Sequence, residues 1–170
     1  SLGMPYTAST DWVDLYYDGV YRGTYIVSEK NSVNKTGVNI TDMEDAYEKL
    51  NPGYGENAST ALAENKYGQT YQYTNEPENI TGGYLLELNG TKLDESYNPK
   101  YDEASGFITG KGSAMNVKSP EYCGKDAMAY ISEYYQEFED AVYAKDADGN
   151  FTGYNAQTGK YYYEYCDLNS

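Results

Sequence analysis

WVDLYYDGVYRGTYIVSEK, Trp12 to Lys30, holds two runs of strand-forming side chains joined by Asp18-Gly19. Asp-Gly suits a two-residue type I′ turn, whose central residues both need positive φ and whose twist matches the flanking strands, so the stretch predicts a β-hairpin. On the first strand Val13, Leu15 and Tyr17 fall on one side and Trp12, Asp14 and Tyr16 on the other, which leaves one face to pack and one to stay wet. On the second, Tyr21, Gly23 and Tyr25 are expected to point the same way. A glycine between two aromatics opens a slot for close approach, and the expectation is that a neighbouring ring fills it.

Downstream, Thr41 and Glu44 read as a capping box before Met43, Ala46, Tyr47 and Leu50, a short helix that Asn51-Pro52-Gly53 stops. Residues 54–79 read as a variable insertion with a weakly helical centre from Ser59 to Lys66. Gly82 to Leu88 is mostly apolar, the pattern of a central strand buried on both faces. Phe107 to Thr109 and Ala114 to Lys118 predict a second hairpin about Gly110-Lys111-Gly112. From Gly124 a longer helix is expected, with Ala127, Ile131, Tyr134, Tyr135, Phe138 and Val142 along its inner stripe and Glu133, Gln136, Glu137, Glu139 and Asp140 outside. Asp146 to Gly149 ends it, and residues 150–170 read as a tyrosine-rich extended tail. The fold class that results is α+β: one mainly antiparallel sheet of about five strands, one long packed helix and one short helix.

Composition narrows the chemistry. A chain of 170 residues fits one domain, and 23 tyrosines imply a core whose rings carry hydroxyls that need partners. Net charge is −15, with 27 acids against 12 bases, so no phosphate-neutralising surface can form and nucleic acid is not an expected partner. No apolar run approaches the roughly 20 residues of a membrane span, and membrane insertion is not expected. Histidine is absent, which excludes imidazole bases and Ser-His-Asp triads. There is no Gly-x-x-x-x-Gly-Lys-Ser/Thr phosphate loop, and two cysteines do not make a four-cysteine zinc site. Asp146, Asp148 and Asn150 imitate a calcium loop, but glycine stands fourth and no glutamate stands twelfth, so a plain helix-ending turn is expected. Cys123 and Cys166 are either one long-range bridge or two buried thiols, the bridge being expected if the protein is secreted. Ser1-Leu2 is compatible with a vector remnant and with a sequence cut from something longer.

Four stretches in order carry a family resemblance. Val13-Asp14-Leu15-Tyr16, Gly19 to Tyr25 and Ser28-Glu29-Lys30 resemble the signature hairpin of the CotH family, the spore-coat-protein-H-like atypical protein kinases. Gly82 to Leu88 resembles that family's next strand, Lys118-Ser119-Pro120-Glu121 with Ala129-Tyr130-Ile131 and Glu137-Phe138-Glu139 its strand-to-helix junction, and Met4-Pro5-Tyr6 its lead-in. The resemblance implies the middle portion of an atypical kinase-like fold. In its parent, the γ-phosphate of ATP would pass, with Mg²⁺ or Mn²⁺, to serine or threonine of a surface or coat protein at an extracellular or cell-surface location. In the family the catalytic aspartate and the Asp-Phe-Asp-like metal motif lie C-terminal to the matched part, so what is implied here is the nucleotide-holding part, with Glu29, Lys30, Tyr84, Glu87 and Lys118 as its residues and no catalytic or metal residue. The alternative is a non-catalytic extracellular module that binds carbohydrate or protein through exposed tyrosines. Oligomeric state is not written in the sequence.

Overall fold

A computed structural model describes residues 7–55, 75–89, 98 and 100–166. The lead-in at Met4 to Tyr6, most of the 54–79 insertion with its helical centre, and the far end of the tail lie outside them. Two compact units divide the chain, Ser1–Ile40 with Asn169–Ser170, and Thr41–Leu168.

The first unit is the expected hairpin, β1 (Thr10–Tyr17) and β2 (Val20–Ser28). Asp18 at φ 50° and Gly19 at φ 74° supply the two positive angles of the turn. The pairing is Val13 with Tyr25, Leu15 with Gly23, and then Tyr16 with Tyr21, so Arg22 is an extra residue opposite the Leu15/Tyr16 step. That bulge corrects the expected face. Tyr21 joins Tyr16, whose ring lies 5.4 Å away, and its hydroxyl lies 2.8 Å from the Thr24 hydroxyl, while Gly23 and Tyr25 stay opposite. The Tyr25 ring only borders the slot: a Cβ on Gly23 would stand at ordinary contact distance, 3.7 Å, from it. Neither face is buried, however. Trp12 is 73% exposed, and Val13 and Leu15 on the face expected to pack are exposed as well. A two-stranded ribbon has no second layer of its own to bury a face.

The second unit holds the core. Its elements are α1 (Met43–Leu50), β3 (Leu85–Leu88), β4 (Gly106–Ile108), β5 (Ala114–Ser119), α2 (Lys125–Tyr143), β6 (Tyr154–Asn155) and β7 (Lys160–Tyr161), followed by a single 3₁₀ turn at Tyr162–Glu164. All strand pairs are antiparallel, so the α+β class stands. Among the described residues the strands are divided among three sheets, β1-β2, β3-β5-β4 and β6-β7, where one sheet of about five was expected. β5 is the central strand, and β3 is an edge strand with Glu87 and Leu88 exposed. An apolar run reads the same whether packed on one side by helix or on both, which is why Gly82 to Leu88 misled.

Phe107, Met115, Val117, Cys123, Met128 and Ile131 form the main buried cluster under α2. Met43, Tyr47 and Ala127 form a second one, and Tyr84 packs against both. The inner stripe of α2 is partly as expected: Ala127 and Ile131 are buried and Tyr134 is 37% exposed. Phe138 is half-buried and lies edge-on to Tyr135 and Tyr165. Glu139, expected outside, is buried. Its carboxylate accepts from Thr109 Oγ1 at 2.7 Å, the Lys111 amide at 3.1 Å and Gln136 Nε2 at 3.2 Å, so the β4-β5 turn is clamped to the helix by a satisfied charge.

The helix starts differ from the sequence reading. Asp42, not Thr41, caps α1 by accepting from the Asp45 amide at 3.1 Å, and Glu44 turns away to accept from the Glu121 amide at 2.7 Å. Gly124 caps α2 and has no side chain to do it with. Glu76 supplies the missing acceptor: one oxygen takes the Asp126 amide at 2.7 Å, the other the Ala127 amide and the Tyr47 hydroxyl, each at 2.9 Å. The Gly124 amide donates in turn to the Tyr47 oxygen at 2.9 Å. Beyond α2, the chain folds back as the β6-β7 hairpin, and Asn155 donates to the Glu137 carbonyl at 3.1 Å, so residues 150–165 are not an extended tail. Gly153 and Gly159 take positive φ there, turn positions that a run dominated by tyrosine obscured. Asp146 makes the plain turn: one oxygen accepts from the Asp148 and Asn150 amides at 3.0 and 2.9 Å.

Cys123 and Cys166 are both free thiols, Cys123 buried and Cys166 exposed. The expected bridge is therefore corrected, and with it goes that argument for an extracellular home.

Two outcomes are expected. Phe107→Ala should cost about 3 to 5 kcal/mol in urea unfolding, since its ring is wholly enclosed. Phe138→Ala should cost less, about 1 to 2 kcal/mol, being half-buried; equal losses would contradict this division of the core. For the thiols, burial pushes Cys123 well above the ordinary range, so in the folded protein a thiol reagent should modify Cys166 alone and reach Cys123 only on unfolding. Two fast thiols, or none after unfolding without reductant, would contradict the arrangement.

Candidate functional site

β5 alternates. Met115 and Val117 enter the core under α2, and Asn116 and Lys118 face the other way, where the chain from Tyr101 to Ser105 folds across the sheet. The approach is close because Gly106 has no side chain: a Cβ there would collide with the Tyr101 ring. Across the pairing, Glu87 of β3 stands opposite Asn116. The result is a polar cluster between strand and loop.

Asn116, buried, organises it. Its amide nitrogen donates to Glu87 Oε2 at 3.0 Å and Asp102 Oδ1 at 2.9 Å, and its oxygen accepts from the Asp102 amide at 3.0 Å. Asn89 Nδ2 reaches the same Asp102 oxygen at 2.8 Å. At the rim, Lys118 Nζ pairs with Glu103 Oε1 and lies 4.0 Å from Glu87 Oε2. Hydrogen bonding to Glu103 raises the Lys118 pKa above its ordinary value; partial burial opposes this, and the carboxylates of Glu103, Glu87 and Glu121 add to it. Chemically, this is one ammonium between the carboxylates of Glu103 and Glu87, with a buried amide holding Glu87 and Asp102.

Of the residues expected from sequence, Glu87 and Lys118 are thus brought together. Tyr84 precedes β3, and its hydroxyl donates to the Ile80 carbonyl at 2.6 Å, with the Ala127 carbonyl at 3.3 Å. Its ring stacks on Tyr130, and burial raises its pKa, so it serves as a neutral packing residue between the two clusters. Glu29 and Lys30 follow β2 in the first unit, exposed, with the Glu29 carboxylate accepting from Ser9 Oγ at 3.3 Å. Asp102, Glu103 and Asn116 were not foreseen. Asn116 did carry a signal, a polar residue in register with Lys118 on an otherwise apolar strand; the loop acids carried none.

A divalent metal does not fit these residues. Among the described residues no group of three or more acidic, cysteine or histidine side chains is arranged to hold one, and Asp102 and Glu103 are already engaged by amide and ammonium groups. Nor is any helix among them long and apolar enough to cross a membrane. Compared with protein-family models, with curated proteins and with solved structures, the chain matches none.

The raised pKa has a sign. Below about pH 10.4, the ordinary lysine value, the pair's contribution is fully present, and it is lost as pH rises through the higher folded-state value. Because the Lys118 side chain is 36% exposed, solvent screens the pair, and Glu103→Gln should cost no more than about 1 kcal/mol at neutral pH. An NMR titration of the Lys118 ammonium should show a pKa above 10.4 in the wild type and a fall toward that value, about 10.4, in Glu103→Gln. Identical titrations would place Lys118 outside the field of Glu103.

Proposed function

We propose that this chain is the nucleotide-holding part of a CotH-like protein kinase, with Lys118 as the cation that meets the phosphates of ATP. The observation that carries the reading is the seat of Lys118: a middle strand, the face away from α2, and a carboxylate 4.0 Å away on the neighbouring strand. Protein kinases use a strand lysine paired with a glutamate to hold the phosphates of ATP. Glu87 supplies the carboxylate that orients the ammonium, and Glu103 holds the ammonium until a phosphate displaces it. The resemblance of the β1-β2 hairpin to the family's signature hairpin supports the same reading and brings Glu29 and Lys30 into it, while Tyr84 acts by fixing the start of β3. Surface or coat proteins, phosphorylated on serine or threonine outside the cell or at its surface, are the substrates this reading carries, with Mg²⁺ or Mn²⁺ held by carboxylates of the parent.

The chain alone should bind ATP weakly, at about millimolar Kd, or roughly 4 kcal/mol, because the cluster is net negative without metal. Nucleotide titration followed by NMR tests this. Lys118→Ala should abolish binding, and Glu103→Gln should strengthen it by freeing the ammonium and removing a like charge. No transfer from radiolabelled ATP is expected from the chain alone, and transfer is expected from the full-length parent. An ATP affinity that ignores both substitutions would overturn the site, and an inert parent supplied with metal would move the reading to a non-catalytic module.

A further inference from the structure

On the other side of the second unit, α2, the end of β4 and the β6-β7 hairpin enclose a groove that the nucleotide reading does not use. Its cavity measures about 290 Å³ and is lined by Ile108, Glu133, Glu137, Asp140, Asn155 and Gln157 among others. An open cleft of about 540 Å³ adjoins it, sharing Asp140, Asn155 and Gln157 and adding Tyr154 and Lys145. The cleft is within the range of small-ligand sites, about 300 to 1,000 Å³, and the cavity lies just below it.

The walls are pre-set. Buried Asn155 spends its amide on the Glu137 carbonyl and its oxygen on the Gln157 and Thr158 amides, which fixes the hairpin against the helix. The exposed Gln157 side chain has no hydrogen-bond partner among the described residues, and neither do the Glu133 and Glu137 carboxylates. Asp140 commits one oxygen to Gln136 Nε2 at 2.8 Å and keeps the other. The groove therefore presents acceptors in excess, with one free amide that both donates and accepts.

From Tyr154 an aromatic platform runs outward. The Tyr154 and Tyr161 rings are 4.9 Å apart, and Tyr161 and Tyr163 stack at 5.2 Å with planes only 6° apart. All three are 39% to 45% exposed, so this ring cluster borders solvent beside a polar cleft. We infer that this groove and platform bind a neutral glycan chain: sugar hydroxyls donate to Glu133, Glu137 and Asp140 and exchange hydrogen bonds with Gln157, while C–H faces of the rings lie on the tyrosines. Acidic sugars and phosphates would meet three carboxylates on a chain of net charge −15. A basic peptide fits less well, because Lys145 sits over the Phe151 ring at 4.6 Å and Lys160 over the Tyr165 ring at 5.2 Å, placing two cations beside the platform.

The test titrates the full chain with cellohexaose, chitohexaose and mannohexaose, with an oligogalacturonate and polylysine as charged comparisons. At least one neutral hexasaccharide should shift the Gln157 side-chain amide signals, with an affinity that added salt leaves unchanged. Gln157→Ala and Tyr154→Ala, both at exposed positions, should weaken binding at least about tenfold, whereas Lys118→Ala should leave it unaltered, separating this groove from the nucleotide site. Absence of binding by all three neutral oligosaccharides would overturn the inference, as would wild-type affinity in both groove variants. Binding of polylysine alone, lost on adding salt, would make the groove a basic-peptide site instead.

Discussion

The second unit depends on a carboxylate that caps a helix from fifty residues away. α2 begins at Gly124, which offers no capping side chain, and its first amides would be unsatisfied beside a buried tyrosine. Glu76 takes two of them, one oxygen also taking the Tyr47 hydroxyl, and Tyr47 completes the ring by accepting from the Gly124 amide. A negative charge at a helix N-terminus also opposes the positive end of the helix dipole. Burial, then the hydrogen bond to Glu76, pushes the Tyr47 phenol far above its usual range, which favours the neutral form that donates to Glu76. One carboxyl thereby joins α1 through Tyr47, the segment before β3 through Glu76 itself, and α2.

That junction sets where the sheet lies. With α2 fixed at its start and clamped at Glu139 by the β4-β5 turn, the inner face of β5 is committed to the core. Its outer face is left to Asn116 and Lys118, covered by the Tyr101 to Ser105 loop. The nucleotide site we propose and the glycan groove consequently occupy different sides of one framework. The anion-binding capacity of the α2 N-terminus is already taken by Glu76.

How much of this was legible follows from where the causes lie. Asp18-Gly19, the Gly110 to Gly112 turn and the Ala127/Ile131 spacing act over a few residues, and the hairpins and α2 were read from them directly. The five candidate residues were read partly: Glu87 stands opposite Asn116 and Lys118 lies two residues further along β5, at the extra residue where the register shifts, but nothing local announces that Glu103 comes to Lys118. Long-range partners account for most differences. Glu139 looks like an outer-face acid until the β4-β5 turn supplies two donors and Gln136 of the helix a third, and Glu44 looks like a capping residue until the Glu121 amide claims it. The extra residue at Arg22 changes a face without changing composition, and tyrosine-rich 150–165 hides a hairpin whose turns rest on single glycines.

Gly124→Ala tests the remote cap most directly, because its sign depends on Glu76. Gly124 has φ −82° and ψ 171°, angles that alanine adopts freely, so backbone entropy alone predicts a gain of about 0.4 to 1 kcal/mol. A Cβ there would overlap the Glu76 carboxyl, which must then swing away and release the Asp126 and Ala127 amides and the Tyr47 hydroxyl. Urea unfolding should show Gly124→Ala losing about 1 kcal/mol or more when Glu76 is present, and neutral or stabilising when Glu76→Ala is already in place. The same stabilisation in both backgrounds would contradict the account, since Glu76 could not then be what holds the start of α2.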